Sequence, residues 1–258
     1  MIYIIPIYIK LKKINITKIS SFNYLNWRNG YCYFKGVYLE KEVFIKVDTK
    51  MHLLINDKLT YDICKGIMKD ELVEILHHSL DSRIQFIVYE FFNSRELDEN
   101  ILLNDMRYLD DIIRILNNLS KAGIIHRDIK LDNILLNNNN ILVCDYEYCI
   151  NTDDIGCNDD ILNQYVGTEL YMAPEIINRE VNLNYKSVDI WNTALVIFVI
   201  LTKGQLLMYD TFKYWRQYYN KDIIEKFFIY NENTYDFTNF FMLSLNPKNT
   251  KRQLLNIL

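Results

Sequence analysis

Between residues 22 and 48 apolar and polar positions alternate, with aromatic and β-branched side chains enriched, which predicts a run of strands. Leu39-Glu40-Lys41-Glu42 supplies a turn between two of them, and Val43-Phe44-Ile45-Lys46 closes the run. Leu72–Leu76 and Ile84–Glu90 read as two more strands, with a turn at Asp81-Ser82. Over residues 105–122 the period changes. Leu109, Ile112, Ile113, Ile115 and Leu116 recur on one helical face, and Gly123 is a fitting C-terminal stop. Ile134–Leu136 and Ile141–Cys144 flank four asparagines, Asn137–Asn140, which suit a turn because Asn tolerates left-handed geometry. Val188–Leu201 is apolar almost throughout, but Asp189 and Asn192 interrupt it, so it predicts a buried helix rather than a membrane span. Residues 1–9 are apolar and Tyr-rich, without the basic flank of a secretory signal, and read as a strand.

Composition narrows the class. Of 258 residues half are hydrophobic and about a quarter charged, the balance of a globular chain with real cores. Net charge is −4 with no large basic block, which argues against nucleic acid or an anionic membrane as partner. Five cysteines, an odd number without metal-ligand spacing, read as reduced thiols in a reducing, cytoplasmic compartment. No internal repeat and no Pro-, Gly- or Ser-rich linker divides the chain.

The densest chemistry lies at His126-Arg127-Asp128-Ile129-Lys130-Leu131-Asp132-Asn133. On a loop, a carboxylate, an amine two residues on and an amide three beyond it can converge on one point. Phosphoryl transfer needs that set: a group to orient the hydroxyl, a cation for the moving phosphoryl, and an oxygen for a metal ion. The stretch resembles the catalytic loop of eukaryotic-type protein kinases. Val166–Glu175, ending in Ala-Pro-Glu, is similar to the segment that seats a peptide substrate in that family. The resemblance covers roughly residues 25–256. It implies an α+β, two-lobed kinase-like fold in a single domain over 1–258: a small β-rich lobe to about residue 90, then a mainly helical lobe.

Carried over position by position, the resemblance assigns roles. Asp128 orients the hydroxyl or acts as base, Lys130 stabilises the transferring group, and Asn133 with Asp145 holds Mg²⁺. Lys46 grips the ATP phosphates beneath a glycine-rich loop of which only Gly30 and Gly36 remain, with Tyr31–Phe34 as the covering loop. Glu90-Phe91-Phe92 forms the hinge at the adenine edge, with Tyr89 guarding the pocket behind it. A regulatory helix over residues 53–69 should present a glutamate to Lys46. Counting back from the following strands puts Thr60 there, and Asp57, one turn earlier, pairs with Lys46 only if the helix shifts, while Asp62 falls on another face. Tyr146 takes the place of a phenylalanine and needs a partner for its hydroxyl. Glu147 replaces a glycine and either adds a metal ligand or points to solvent. Arg127 pairs with an acid of the segment 146–171, or that segment is simply a solvated acidic loop, with Thr152 and Tyr165 as phosphosites. Asp189 braces the catalytic loop, Ala194 replaces a glycine, and Arg252, near Pro247, is a candidate partner for Glu175.

Lys130 together with Thr168 implies serine/threonine specificity. The expected function is transfer of the ATP γ-phosphoryl group, with Mg²⁺, to Ser or Thr of a protein substrate. The alternative is a pseudokinase scaffold, supported by the eroded glycine loop, Thr60 and Glu147. A small-molecule kinase shares the Asp and Asn constellation, but the peptide-seating segment argues against it.

Overall fold

Period-two burial builds the N-terminal sheet. The computed structural model describes residues 19–28, 30–48, 54–80, 85–91, 107–154, 165–180, 183–201, 237–246, 248 and 251–253. Residues 1–9, the Asp81-Ser82 turn, Cys157, Asp159, Asp160, Phe92 and Pro247 lie outside them. Five antiparallel strands run β1 (Ile19–Arg28), β2 (Tyr31–Tyr38), β3 (Lys41–Asp48), β4 (Ile75–Ser79) and β5 (Gln85–Glu90), in spatial order β1-β2-β3-β5-β4. Cys32, Phe34, Val43, Ile45 and Val47 pack on one face of the sheet. Tyr31, Tyr33, Phe44 and Lys46, the alternate positions, fall on the other, where the first three pack near Leu54, Ile87 and Tyr89. Gly36 is fixed by close packing. A Cβ there would lie 2.6 Å from the Ser21 carbonyl oxygen of β1.

Helix α1 (Leu54–Cys64) crosses this second face and ends in a turn, so it is shorter than the expected 53–69. The strand expected at Leu72–Leu76 starts later, at Ile75. Leu72 instead forms an isolated parallel bridge with Val143, and the Val143 N–H donates to the Glu71 carbonyl at 2.9 Å. The apolar run was shared between that bridge and β4, a division that hydrophobicity does not show. The turn before β3 is confined to Leu39 and Glu40, both at positive φ.

The second lobe is helical around α2 (Arg107–Lys121) and α4 (Tyr185–Leu201), with short α3 (Pro174–Ile177) between them in sequence and α5 (Phe237–Ser244) packed against α4. The stripe on α2 buries Leu109, Ile112, Ile113, Ile115 and Leu116 as expected, and Gly123 follows at φ 73°. Helix α4 is buried on nearly every side. Short pairs β6 (Ile124–Ile125) with β9 (Ile150–Asn151) and β7 (Ile134–Asn137) with β8 (Asn140–Val143) bracket the chemistry. The β7–β8 turn places Asn138 and Asn139 at φ 48° and 72°, the geometry expected of asparagine. Among the described residues no helix is long and apolar enough to cross a membrane.

Candidate active site

A cavity of about 480 Å³ lies between the sheet and the helical lobe. That is within the ordinary range for a small-molecule site. Asp128, Lys130, Asn133, Asp145, Lys46 and Glu90 all line it. Residues far apart in sequence are therefore gathered in one cleft.

The loop carrying Asp128 is held from below. Asp189, at the start of α4, accepts the His126 N–H at 2.7 Å and the Arg127 N–H at 2.8 Å, the bracing expected of it. Burial pushes its carboxyl up, opposed by His126 and by those two N–H bonds. Arg127 sits at φ 66°, a conformation costly for a non-glycine residue and kept only where surroundings impose it. Its Nε donates to the Tyr148 carbonyl at 2.6 Å. His126 is fully buried, with Nε2 3.2 Å from the Cys144 carbonyl and Nδ1 3.4 Å from the Asp128 N–H. With Nε2 donating and Nδ1 accepting, the ring satisfies both contacts.

Both oxygens of Asp128 are held. Oδ1 takes the Thr168 N–H at 2.7 Å, and Oδ2 takes Lys130 Nζ at 2.9 Å and Asn133 Nδ2 at 3.3 Å. Lys130 Nζ also donates to Thr168 Oγ1 at 2.7 Å, which locks the loop to the segment ending in Ala173-Pro174-Glu175. Gly167 makes that approach feasible, since a Cβ would lie 2.7 Å from the Arg127 carbonyl and its φ is +106°. Asn133 spends its Nδ2 on Asp128, also donating to the backbone carbonyl at 2.8 Å, so its side-chain oxygen is the atom left for a cation.

Across the cleft, Lys46 Nζ reaches Asp57 at 3.0 Å, Asp145 at 2.7 Å and Glu147 at 3.2 Å. Burial opposes its charge, but Asp57 and Asp145 outweigh that and hold the ammonium well above its usual range. Asp57 is thus the acid that α1 presents, while Thr60 is buried elsewhere along the helix. Counting back from the strands misplaced this position because the connection from α1 to β4 includes the extra turn and bridge. Asp62 faces away and pairs with Lys58 and Lys65, as expected. Burial pushes the Asp57 carboxyl up to about 6, with Lys46 pulling it down. In Asp145 burial is outweighed by Lys46, and its carboxyl is held below the ordinary range. Asp145 has φ 66°, and the next N–H, of Tyr146, donates to Asp57 Oδ1 at 2.7 Å. The Tyr146 hydroxyl finds the partner it needed, the Val143 carbonyl at 2.5 Å.

Other expectations are corrected. Glu147 does not point to solvent; it is buried against Lys46 and lines the cleft beside Asp145. Tyr31–Phe34 is not a covering loop. These residues form the start of β2, directly after the turn that holds Gly30 at φ 92°. Gly36 lies against β1 and is not among the cleft-lining residues. The suggested partner of Glu175 is found: Arg252 meets it through two hydrogen bonds, 2.5 and 2.7 Å, with Trp191 4.8 Å beneath its guanidinium. Tyr33, from the stretch expected to cover the nucleotide, and Phe44, given no role by the motifs, both line the cleft and stack at 5.5 Å with 24° between their planes. The pattern did carry a signal: Phe44 is two residues before Lys46 and must share its face.

A two-lobed fold with an acid, amide and lysine cleft between sheet and helices is that of the protein kinase class. The sequence model of the protein kinase domain matches residues 51–255, and the chain belongs to this family. Similar proteins include the serine/threonine-protein kinase ste20 of Aspergillus fumigatus, 30% identical over 60% of this chain and 19% of that protein. CBL-interacting serine/threonine-protein kinase 2 of Arabidopsis thaliana is 33% identical over 55% of this chain and 31% of its own length. The match thus spans under a third of either relative.

Proposed function

We propose that this chain is an ATP-dependent protein kinase that phosphorylates Ser and Thr hydroxyls of protein substrates. The observation that carries the reading is the Lys130 bridge between Asp128 and Thr168, which joins the loop that would activate a hydroxyl to the segment that would seat it. The Asp128 carboxylate accepts the hydroxyl proton or orients its oxygen, and Lys130 offsets charge on the transferring group. Lys46 positions the phosphates, and the hinge groups at Glu90 and Phe91, which line the cleft, meet the base. The oxygens of Asn133 and Asp145 form a hard donor set that suits Mg²⁺. When bound, Mg²⁺ neutralises charge on the phosphate oxygens. Among the described residues Cys32, Cys64, Cys144 and Cys149 are free thiols, which supports a reducing, cytoplasmic setting.

A scaffold that binds a partner without turnover is the second reading, supported by the eroded glycine loop, of which Gly36 is packed against β1 rather than on the cleft. The two readings part in one experiment. Incubation with γ-labelled ATP, Mg²⁺ and a generic protein substrate, followed by phosphoamino-acid analysis, should give labelled Ser and Thr. Label on Tyr alone overturns the specificity, and no label with intact nucleotide-induced stabilisation favours the scaffold.

A further inference from the structure

An ammonium has three N–H donors, and Lys46 directs them at three carboxylates. The three are not equivalent. The Asp145 side chain is 31% exposed to the cleft, whereas Asp57 is fully buried and Glu147 is 4% exposed. Asp145 can exchange the lysine for a cation entering from the cleft; Asp57 is closed from the cleft, and Glu147, though it lines the cleft wall, has its carboxylate turned onto Lys46. The Asp57 carboxylate is itself divided, because its other oxygen holds the Tyr146 N–H at 2.7 Å. Glu147 is fixed at its backbone, where its carbonyl accepts Asn56 Nδ2 at 2.8 Å, so its side chain reaches Lys46 from a pinned base. The Tyr31 ring, 4.4 Å from Nζ, closes the remaining side.

We propose that Glu147 is a second positioning residue for Lys46, duplicating Asp57, so that the lysine stays aimed at the cleft when Asp145 turns to a cation. The inference rests on the nucleotide reading of the cleft. It gives Glu147 a role where the resemblance had only a missing glycine, and it compensates the short arm of Asp57. One carboxylate suffices to hold the ammonium. With both gone, Asp145 alone must serve the lysine and the metal ion.

The test compares wild type, Asp57→Asn, Glu147→Gln and the double variant, each first shown to be folded by circular dichroism. Two readouts are taken: affinity for a fluorescent ADP analogue with Mg²⁺, and the rate at which an amine-acylating reagent labels Lys46 in the unliganded protein. Each single change should weaken nucleotide binding less than about fivefold. The double change should weaken it at least tenfold beyond the product of the singles, a coupling within the usual range for residues sharing a partner. Acylation of Lys46 should stay slow in both singles and rise at least tenfold in the double. A double variant no different from Asp57→Asn in either readout overturns the proposal. If wild type binds no nucleotide at millimolar concentration, the reading of the cleft fails by itself, and the acylation rates still decide the role of Glu147. Should the double variant not fold, Asp57→Asn with Glu147→Asp, one methylene shorter, replaces it, and the same pattern at smaller size is required.

Discussion

Replacing Arg252 by methionine removes one partner of an ion pair that is closed from water, with side-chain exposures of 0% for Arg252 and 1% for Glu175. The guanidinium donates twice to Glu175 and also to the carbonyls of Ser187 at 3.0 Å and Asn246 at 2.6 Å. After the change, the Glu175 carboxylate keeps, among the described residues, the Ser187 hydroxyl at 3.5 Å. An ion stranded in the interior costs about 3–5 kcal/mol, far more than the pair itself contributes over an apolar replacement. At about 2–4 °C per kcal/mol for a chain of this size, the melting temperature should fall by roughly 6–20 °C. Converting Glu175 to leucine in the same protein removes the stranded charge and should recover most of the loss. Thermal denaturation followed by circular dichroism measures all three proteins. A single variant within about 1 kcal/mol of wild type, or a double variant worse than the single, refutes the reasoning.

Other changes test other joints. Tyr146→Phe removes the hydroxyl bonded to the Val143 carbonyl and should cost about 0.5–1.5 kcal/mol in urea unfolding, leaving the cleft intact. Asp189→Asn can accept only one of the two N–H groups it now holds. It should cost about 1–3 kcal/mol and lower kcat while leaving nucleotide KM nearly unchanged. Asp57 ionises near 6 in the fold against 3.8 when free, so the folded state keeps its proton longer between those values. The stability that wild type holds relative to Asp57→Asn should therefore fall as pH rises from 4 to 6, by on the order of 3 kcal/mol, and level off above. A difference in urea midpoints that stays flat over this range contradicts the assignment.

What was legible in the sequence was local. The catalytic loop, Asp145, Thr168 and Asp189 follow from residues whose order and chemistry leave few arrangements, and the α2 stripe follows from its period. Positions that depend on three-dimensional spacing were not legible. Asp57 rather than Thr60 meets Lys46 because of the length of a connection, and β4 begins at Ile75 because Leu72 is taken by Val143. Glu147 read as a defect, since nothing in a linear string shows that its carboxylate folds back onto a lysine about a hundred residues earlier. The Arg252 pair lay between these cases: both residues were visible, but only the buried geometry makes them partners.

The central claim is that Asp128 acts on a hydroxyl in this cleft. Asp128→Asn keeps the size of the side chain and an acceptor for Thr168 N–H, but removes the carboxylate. Measured beside wild type with saturating ATP and Mg²⁺, its rate of phosphoryl transfer to a Ser/Thr protein substrate should fall by on the order of 10²–10⁴-fold, with nucleotide-induced stabilisation retained. Equal rates for the two proteins would contradict the account.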